Sequence, residues 1–107
     1  MASKNAVIKL AEKFIRDLNE CNVSLKRAYL FGSYANNNAT AVSDIDIALV
    51  ADDFKGVSYI DIDKIMKVKI RKEYAPIHIQ TFNTKYFNGN DAFADEIVNS
   101  GIELKIG

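Results

Sequence analysis

The chain has 107 residues, 49% of them hydrophobic, enough for one buried core and too few for two ordinary domains. Its 14 Lys and Arg balance 14 Asp and Glu, which excludes the broad positive field that holds nucleic acid by counterion release. No apolar run nears the roughly 20 residues that span a bilayer, the first ten residues lack the apolar centre of a secretory signal, and the lone Cys21 has no partner for an intramolecular disulfide. These features lead to the expectation of a soluble, cytoplasmic, single domain over residues 1–107.

From Lys4 to Asn19 the apolar residues Val7, Leu10, Ala11, Phe14, Ile15 and Leu18 recur at three- and four-residue steps, which predicts an amphipathic helix with Ser3 as its N-cap. Arg27 to Phe31 reads as a short buried strand that stops at the Gly32-Ser33 turn. The polar tract after it has room for one helical turn. Asp44 to Val50 then alternates Ile45, Ile47 and Leu49 with Asp44, Asp46 and Ala48, the period of a strand.

After a loop over Asp52 to Gly56, Ser58 and Asp61 have the spacing of a capping box for a second helix reaching toward Tyr74. Asp61 and Asp63 lead that helix and Lys67, Lys69, Arg71 and Lys72 close it, as the helix dipole favours. Its expected buried stripe is Ile62, Ile65, Met66 and Ile70. Pro76 can precede a strand, so Ile77 to Phe82 is the third strand, followed by a loop to Asn90. Asp91 to Ser100 is expected as a short helix with Phe93, Ile97 and Val98 inward and Gly101 at its end, and Ile102 to Ile106 as an edge strand. The fold class is therefore α/β of the α+β kind, a small mixed sheet flanked by helices.

Side chains alternate along a strand, so Asp44 and Asp46 share a face while Ile45 and Ile47 take the other. Two convergent carboxylates repel one another, and a divalent cation removes that penalty. Mg²⁺ prefers a few carboxylate oxygens completed by phosphate and water. Gly32, lacking a Cβ, lets phosphate approach the backbone, and Ser33 can donate from its N–H and hydroxyl near the start of a helical turn. Taken singly, Gly32 is a turn glycine and Ser33 a cap; the ten-residue spacing to the acids is what joins them to the pair. No Gly-Lys-Ser/Thr follows, so this is not a Walker A loop, and it lacks the Rossmann glycine pattern.

Gly32-Ser33, ten residues, then Asp44-Ile45-Asp46, with Ala28-Tyr29-Leu30-Phe31 before and Ile47-Ala48-Leu49-Val50 after, resembles the signature of the DNA polymerase β nucleotidyltransferases. The four fixed positions would coincide by chance on the order of once per thousand chains of this length. The resemblance implies a polymerase β-like fold, Mg²⁺ or Mn²⁺ held by Asp44 and Asp46, and a nucleoside triphosphate, ATP, seated on Gly32 and Ser33 with Tyr34 and Ser43 flanking it. It implies two-metal transfer of a nucleoside monophosphate to a hydroxyl, with a third carboxylate from a neighbouring strand. Here that position falls on His78, the third residue of the expected catalytic set with Asp44 and Asp46.

The chain is most similar to the minimal nucleotidyltransferases, many of them encoded beside a helical HEPN-type partner. In such pairs the nucleotidyltransferase acts as antitoxin, covering the HEPN ribonuclease or transferring AMP to it. The implied function is thus transfer of AMP to a hydroxyl of a HEPN-type partner protein, with a homo-oligomer as the other expected assembly. The alternative is a catalytically weakened nucleotide- and partner-binding module, because His78 stands where the third acid is expected. Transfer to a small molecule, as in the aminoglycoside-modifying relatives, fits less well with so short a chain.

Overall fold

A computed structural model describes residues 3–40, 42–55 and 58–106, with residues 58–60 and 64 described by backbone alone. The elements run α1 (Lys4–Glu20), β1 (Arg27–Phe31), β2 (Ile45–Ala51), α2 (Ser58–Lys69), β3 (Ile77–Asn83), α3 (Ala92–Ser100) and β4 (Ile102–Glu103), with single 3₁₀ turns at Lys72–Tyr74 and Thr84–Tyr86. The four strands form one mixed sheet in the order β3-β2-β1-β4. β1 pairs antiparallel with β2 and with β4, whereas β2 and β3 are parallel and joined through α2. A parallel pair needs such a crossover, because a tight hairpin cannot reverse the chain twice.

Helix α1 forms where its period predicts, with the Ser3 side chain accepting from the Ala6 N–H and with Val7, Ala11, Phe14, Ile15 and Leu18 buried. That stripe packs on one face of the sheet with Ile65 and Val68 of α2, against Ile45, Ile47 and Leu49 of β2. Helix α3 covers the opposite face, where Ala94 and Ile97 meet Tyr29, Ala48, Val50 and Phe82. β2 is thus the central strand with helices on both sides, and Ile47 to Ala51 are all at most 1% exposed. Burial on both faces is what permits its continuous apolar run.

Three expectations change in the folded chain. Helix α2 ends at Lys69, and among its described side chains the buried positions are Asp61, Ile65 and Val68, leaving Met66 42% and, just past the helix, Ile70 75% exposed. The phase is set by Asp61, whose carboxylate is fully buried and accepts from the Lys55 N–H (2.8 Å) and the Thr81 hydroxyl (2.7 Å). Asp61 leads the helix as expected, but from a buried position. The Ser58 half of the expected capping box lies outside the described side chains.

In α3 the inward pair is Ala94 and Ile97, while Phe93 and Val98 stay more than 40% exposed. Two small residues, Ala48 and Ala94, let helix and sheet approach there. The last expected strand shortens to Ile102–Glu103, opposite Leu30 and Tyr29. No helix among the described residues is long and apolar enough to cross a membrane.

Beyond α2, Tyr74 is fully buried and meets Phe14 edge-on, with ring centroids 4.9 Å apart. Its hydroxyl donates to Asp17, which also takes Arg71 Nη1 at 3.0 Å. Burial, then the hydrogen bond to Asp17, raises the Tyr74 hydroxyl well above the ordinary tyrosine range.

Candidate active site

β1 ends where the chain must reverse tightly beside β2, and Gly32 makes the reversal with φ +75°, a left-handed conformation that costs an L side chain energy. The turn continues as one helical loop, since Asn36 N–H donates to Gly32 O and Asn38 N–H to Ser33 O, both at 3.0 Å. Asn37 takes the second left-handed position, φ +62°, and its side chain is held by Lys4 Nζ at 3.1 Å. Helix α1 thus braces the loop that carries Ser33.

Phe31 lies opposite Asp46 in the β1–β2 ladder, and Asp46 lies opposite His78 in the β2–β3 ladder. The ends of three strands therefore bring Gly32, Asp46 and His78 side by side. A Cβ built on Gly32 would overlap Oδ2 of Asp46 and stand 3.2 Å from its Cγ. On the other flank, His78 Nδ1 is 3.2 Å from Asp46 Oδ1. An ionised carboxylate only accepts, so a hydrogen bond at this distance needs its proton on Nδ1, the tautomer that leaves Nε2 as the ring's acceptor. Asp46 is half-buried and His78 two-thirds exposed. Strand pairing begins with Ile45, whose N–H donates to Pro76 O at 3.0 Å, so Asp44 sits one residue ahead of β2, exposed at its mouth.

The flanking residues differ in burial and in bonding. Tyr34 is 8% exposed and belongs to the core cluster beneath α1, which ties the turn to the core. Ser43 Oγ accepts from the Thr40 N–H at 2.8 Å and closes the approach to β2. Ser33 is partly exposed next to Gly32. Among the described residues no three His, Cys, Asp or Glu side chains are gathered closely enough to hold a metal by themselves. Asp44 and Asp46 can offer two carboxylates, with Oδ2 of Asp46 drawn against the Gly32 backbone; oxygen ligands from outside the chain would complete the mixture that Mg²⁺ prefers.

Residues 12–106 match the family model described as polymerase beta, nucleotidyltransferase. The chain belongs to the polymerase β nucleotidyltransferase family. Its mixed sheet and flanking helices match a crystal structure, at 1.40 Å resolution, of a Sulfolobus solfataricus protein assigned as a nucleotidyltransferase, with a TM-score of 0.64 and 18% identity over 94% of this chain and 80% of that one. At that identity the likeness is one of fold. No curated protein matches the sequence. Nucleotidyl transfer is accordingly the activity class of the family.

One feature of the site escaped the sequence. A cleft of about 230 Å³ opens beside Gly32, between the turn and α3, lined in part by Phe31, Asn36, Phe93, Glu96 and Ser100. Its only signal in the sequence was the stripe Phe93, Glu96, Ile97 and Ser100 at helical spacing, which reads equally well as a core face.

Proposed function

We propose that the chain binds a Mg²⁺ nucleoside triphosphate, ATP, and transfers AMP to a hydroxyl of a partner protein, a HEPN-type toxin for which it serves as antitoxin. The observation that carries the reading is the close approach of the Asp46 carboxylate to the bare Gly32 backbone, Oδ2 filling the place a Cβ would take, which brings a backbone turn able to meet phosphate and a metal-accepting oxygen together at the ends of adjoining strands. Asp44 and Asp46 would hold Mg²⁺, which when bound neutralises phosphate charge and makes the α-phosphorus more electrophilic.

The Gly32-Ser33 turn directs its N–H groups and the Ser33 hydroxyl toward the polyphosphate oxygens and fixes the donor in one pose. The acceptor hydroxyl approaches from the His78 side. Its oxygen bonds to the α-phosphorus as the bond to the bridging oxygen of pyrophosphate breaks. His78, oriented through Nδ1 by Asp46, offers Nε2 as the nitrogen ligand for a metal on this flank, and the hydroxyl proton leaves to water.

A neutral imidazole brings no negative charge to this flank, so a metal there binds more weakly than with a carboxylate. That supports a second reading, a nucleotide- and partner-binding module in which transfer is slow. Incubation with α-labelled ATP, Mg²⁺ and the protein encoded beside this one separates the two. Label on the partner's hydroxyl residue supports transfer; tight ATP binding with no label supports the module. Asp44→Asn and Asp46→Asn are each expected to abolish the tightening of ATP binding by Mg²⁺ while leaving the fold intact, and unchanged metal-dependent calorimetry in both would end the site assignment.

A further inference from the structure

We infer that the cleft between the Gly32 turn and α3 is the seat of the nucleobase, with Phe93 as its stacking wall and Glu96 as the acceptor for a base amino group; the inference rests on the phosphate seat proposed above. The cleft shares Gly32 with that seat. A molecule whose phosphates lie on Gly32-Ser33 therefore has its next segment at the cleft mouth. The sheet order places β3 and β1 on opposite sides of β2, so His78 and the cleft flank Asp46 from opposite sides. The acceptor belongs to the His78 side, and the cleft belongs to the phosphate donor.

Volume and chemistry narrow the occupant. At about 230 Å³ the cleft falls below the roughly 300 Å³ at which pockets begin to enclose whole small ligands. It suits one planar fragment of a larger molecule. Phe93 is held edge-on by Phe31 and at a tilt by Phe82, ring centroids 5.7 Å away in each case, yet it stays 41% exposed. A fixed aromatic ring with a free surface is a stacking platform, and any base has a face to lay on it.

Glu96 sits one turn further along the same side of α3. Its carboxylate would repel phosphate, which orients the ligand with phosphates toward Ser33 and base toward α3. A carboxylate can only accept, so it selects a base carrying N–H on its edge, such as the 6-amino group of adenine.

The test is calorimetry on the full chain with Mg²⁺ and three probes: inorganic tripolyphosphate, ATP, and purine riboside triphosphate, which lacks the amino group. Wild type should bind ATP roughly tenfold to a hundredfold more tightly than tripolyphosphate, the range that one stacked base contributes. Phe93→Ala should lose that margin and leave tripolyphosphate binding as it was. Ser100→Trp, which fills the cleft from an exposed position without disturbing the aromatic packing, should do the same and covers the case that Phe93→Ala weakens the fold. Glu96→Ala, which removes the acceptor, should lower affinity for ATP and leave purine riboside triphosphate unchanged.

Retention of wild-type ATP affinity in both Phe93→Ala and Ser100→Trp would overturn the inference while the phosphate seat stands. It is overturned equally if those variants bind ATP normally and lose only transfer, since the cleft would then belong to the acceptor. Failure of wild type to bind tripolyphosphate would instead remove the phosphate seat, and the inference with it.

Discussion

Gly32 and Asp46 pack so closely that a methyl group on Gly32 would overlap Oδ2 of Asp46 and lie 3.2 Å from its Cγ. The glycine is left-handed as well, φ +75°. Gly32→Ala therefore meets two penalties, about 1–2 kcal/mol for the backbone conformation and the displacement of the carboxylate. The expected result is a chain that folds with a lowered denaturation midpoint and binds Mg²⁺ ATP at least tenfold more weakly. Urea titration and calorimetry on the same preparation measure both; full ATP affinity in the variant would show that the approach of Gly32 to Asp46 is incidental.

His78→Asp places a carboxylate where Nδ1 now donates to Asp46. Without metal the two acids repel, and with Mg²⁺ that repulsion becomes affinity. Label transfer to the partner in Mg²⁺ should rise by about an order of magnitude, while triphosphate affinity changes little. Wild type should gain more than the variant when Mn²⁺ replaces Mg²⁺, because Mn²⁺ accepts nitrogen more readily. A fall in transfer by His78→Asp would mean that the imidazole itself does what no carboxylate can there.

Asp61 tests stability apart from function. Its buried carboxylate joins the Lys55 backbone and the Thr81 hydroxyl, and Thr81 lies three residues along β3 from His78. Asp61→Asn exchanges a charged acceptor for an amide that must turn an N–H toward one of these donors. The expected loss is about 2 kcal/mol of unfolding free energy, read from denaturant curves. Mg²⁺ ATP affinity of the folded protein should be unaffected, and a matching loss of affinity would tie this end of the sheet to the site.

Tyr74 sets a pH limit. Its hydroxyl is raised above the ordinary 10.0 by burial and by the bond to Asp17. The neutral hydroxyl is thus favoured in the folded state, so its contribution is complete below pH 10.0 and is lost as pH rises above that value. In that range the unfolded chain releases a proton that the folded chain keeps, and stability falls with a slope of about 1.4 kcal/mol per pH unit. Tyr74→Phe should be less stable than wild type at pH 7, by about 1.5 kcal/mol, with Arg71 still satisfying Asp17. The gap should close between pH 10 and 11. Chemical denaturation across pH 7–11 reads the difference directly, and a gap that widened with pH would reverse the assigned sign.

Local chemistry was legible in the residues. The period of α1, the cap at Ser3, the turn at Gly32 and the alternation from Ile45 onward each depend on neighbours within a few positions, and each forms as its sequence predicts. Gly32 also meets Asp46 across the end of the β1–β2 ladder. Tertiary packing decided which way the later helices face. Helical spacing alone points Met66, Ile70, Phe93 and Val98 inward, but the buried bond of Asp61 to Thr81 turned α2, and the small pair Ala48 and Ala94 seated α3 on other residues. Packing also drew Tyr34 into the core, set His78 beside Asp46 by placing β3 parallel to β2, and left Phe93 beside Gly32. A residue's spacing limits which faces it can occupy, but the face that is buried depends on the partner's shape and hydrogen bonds, and those partners lie up to tens of residues away in the chain.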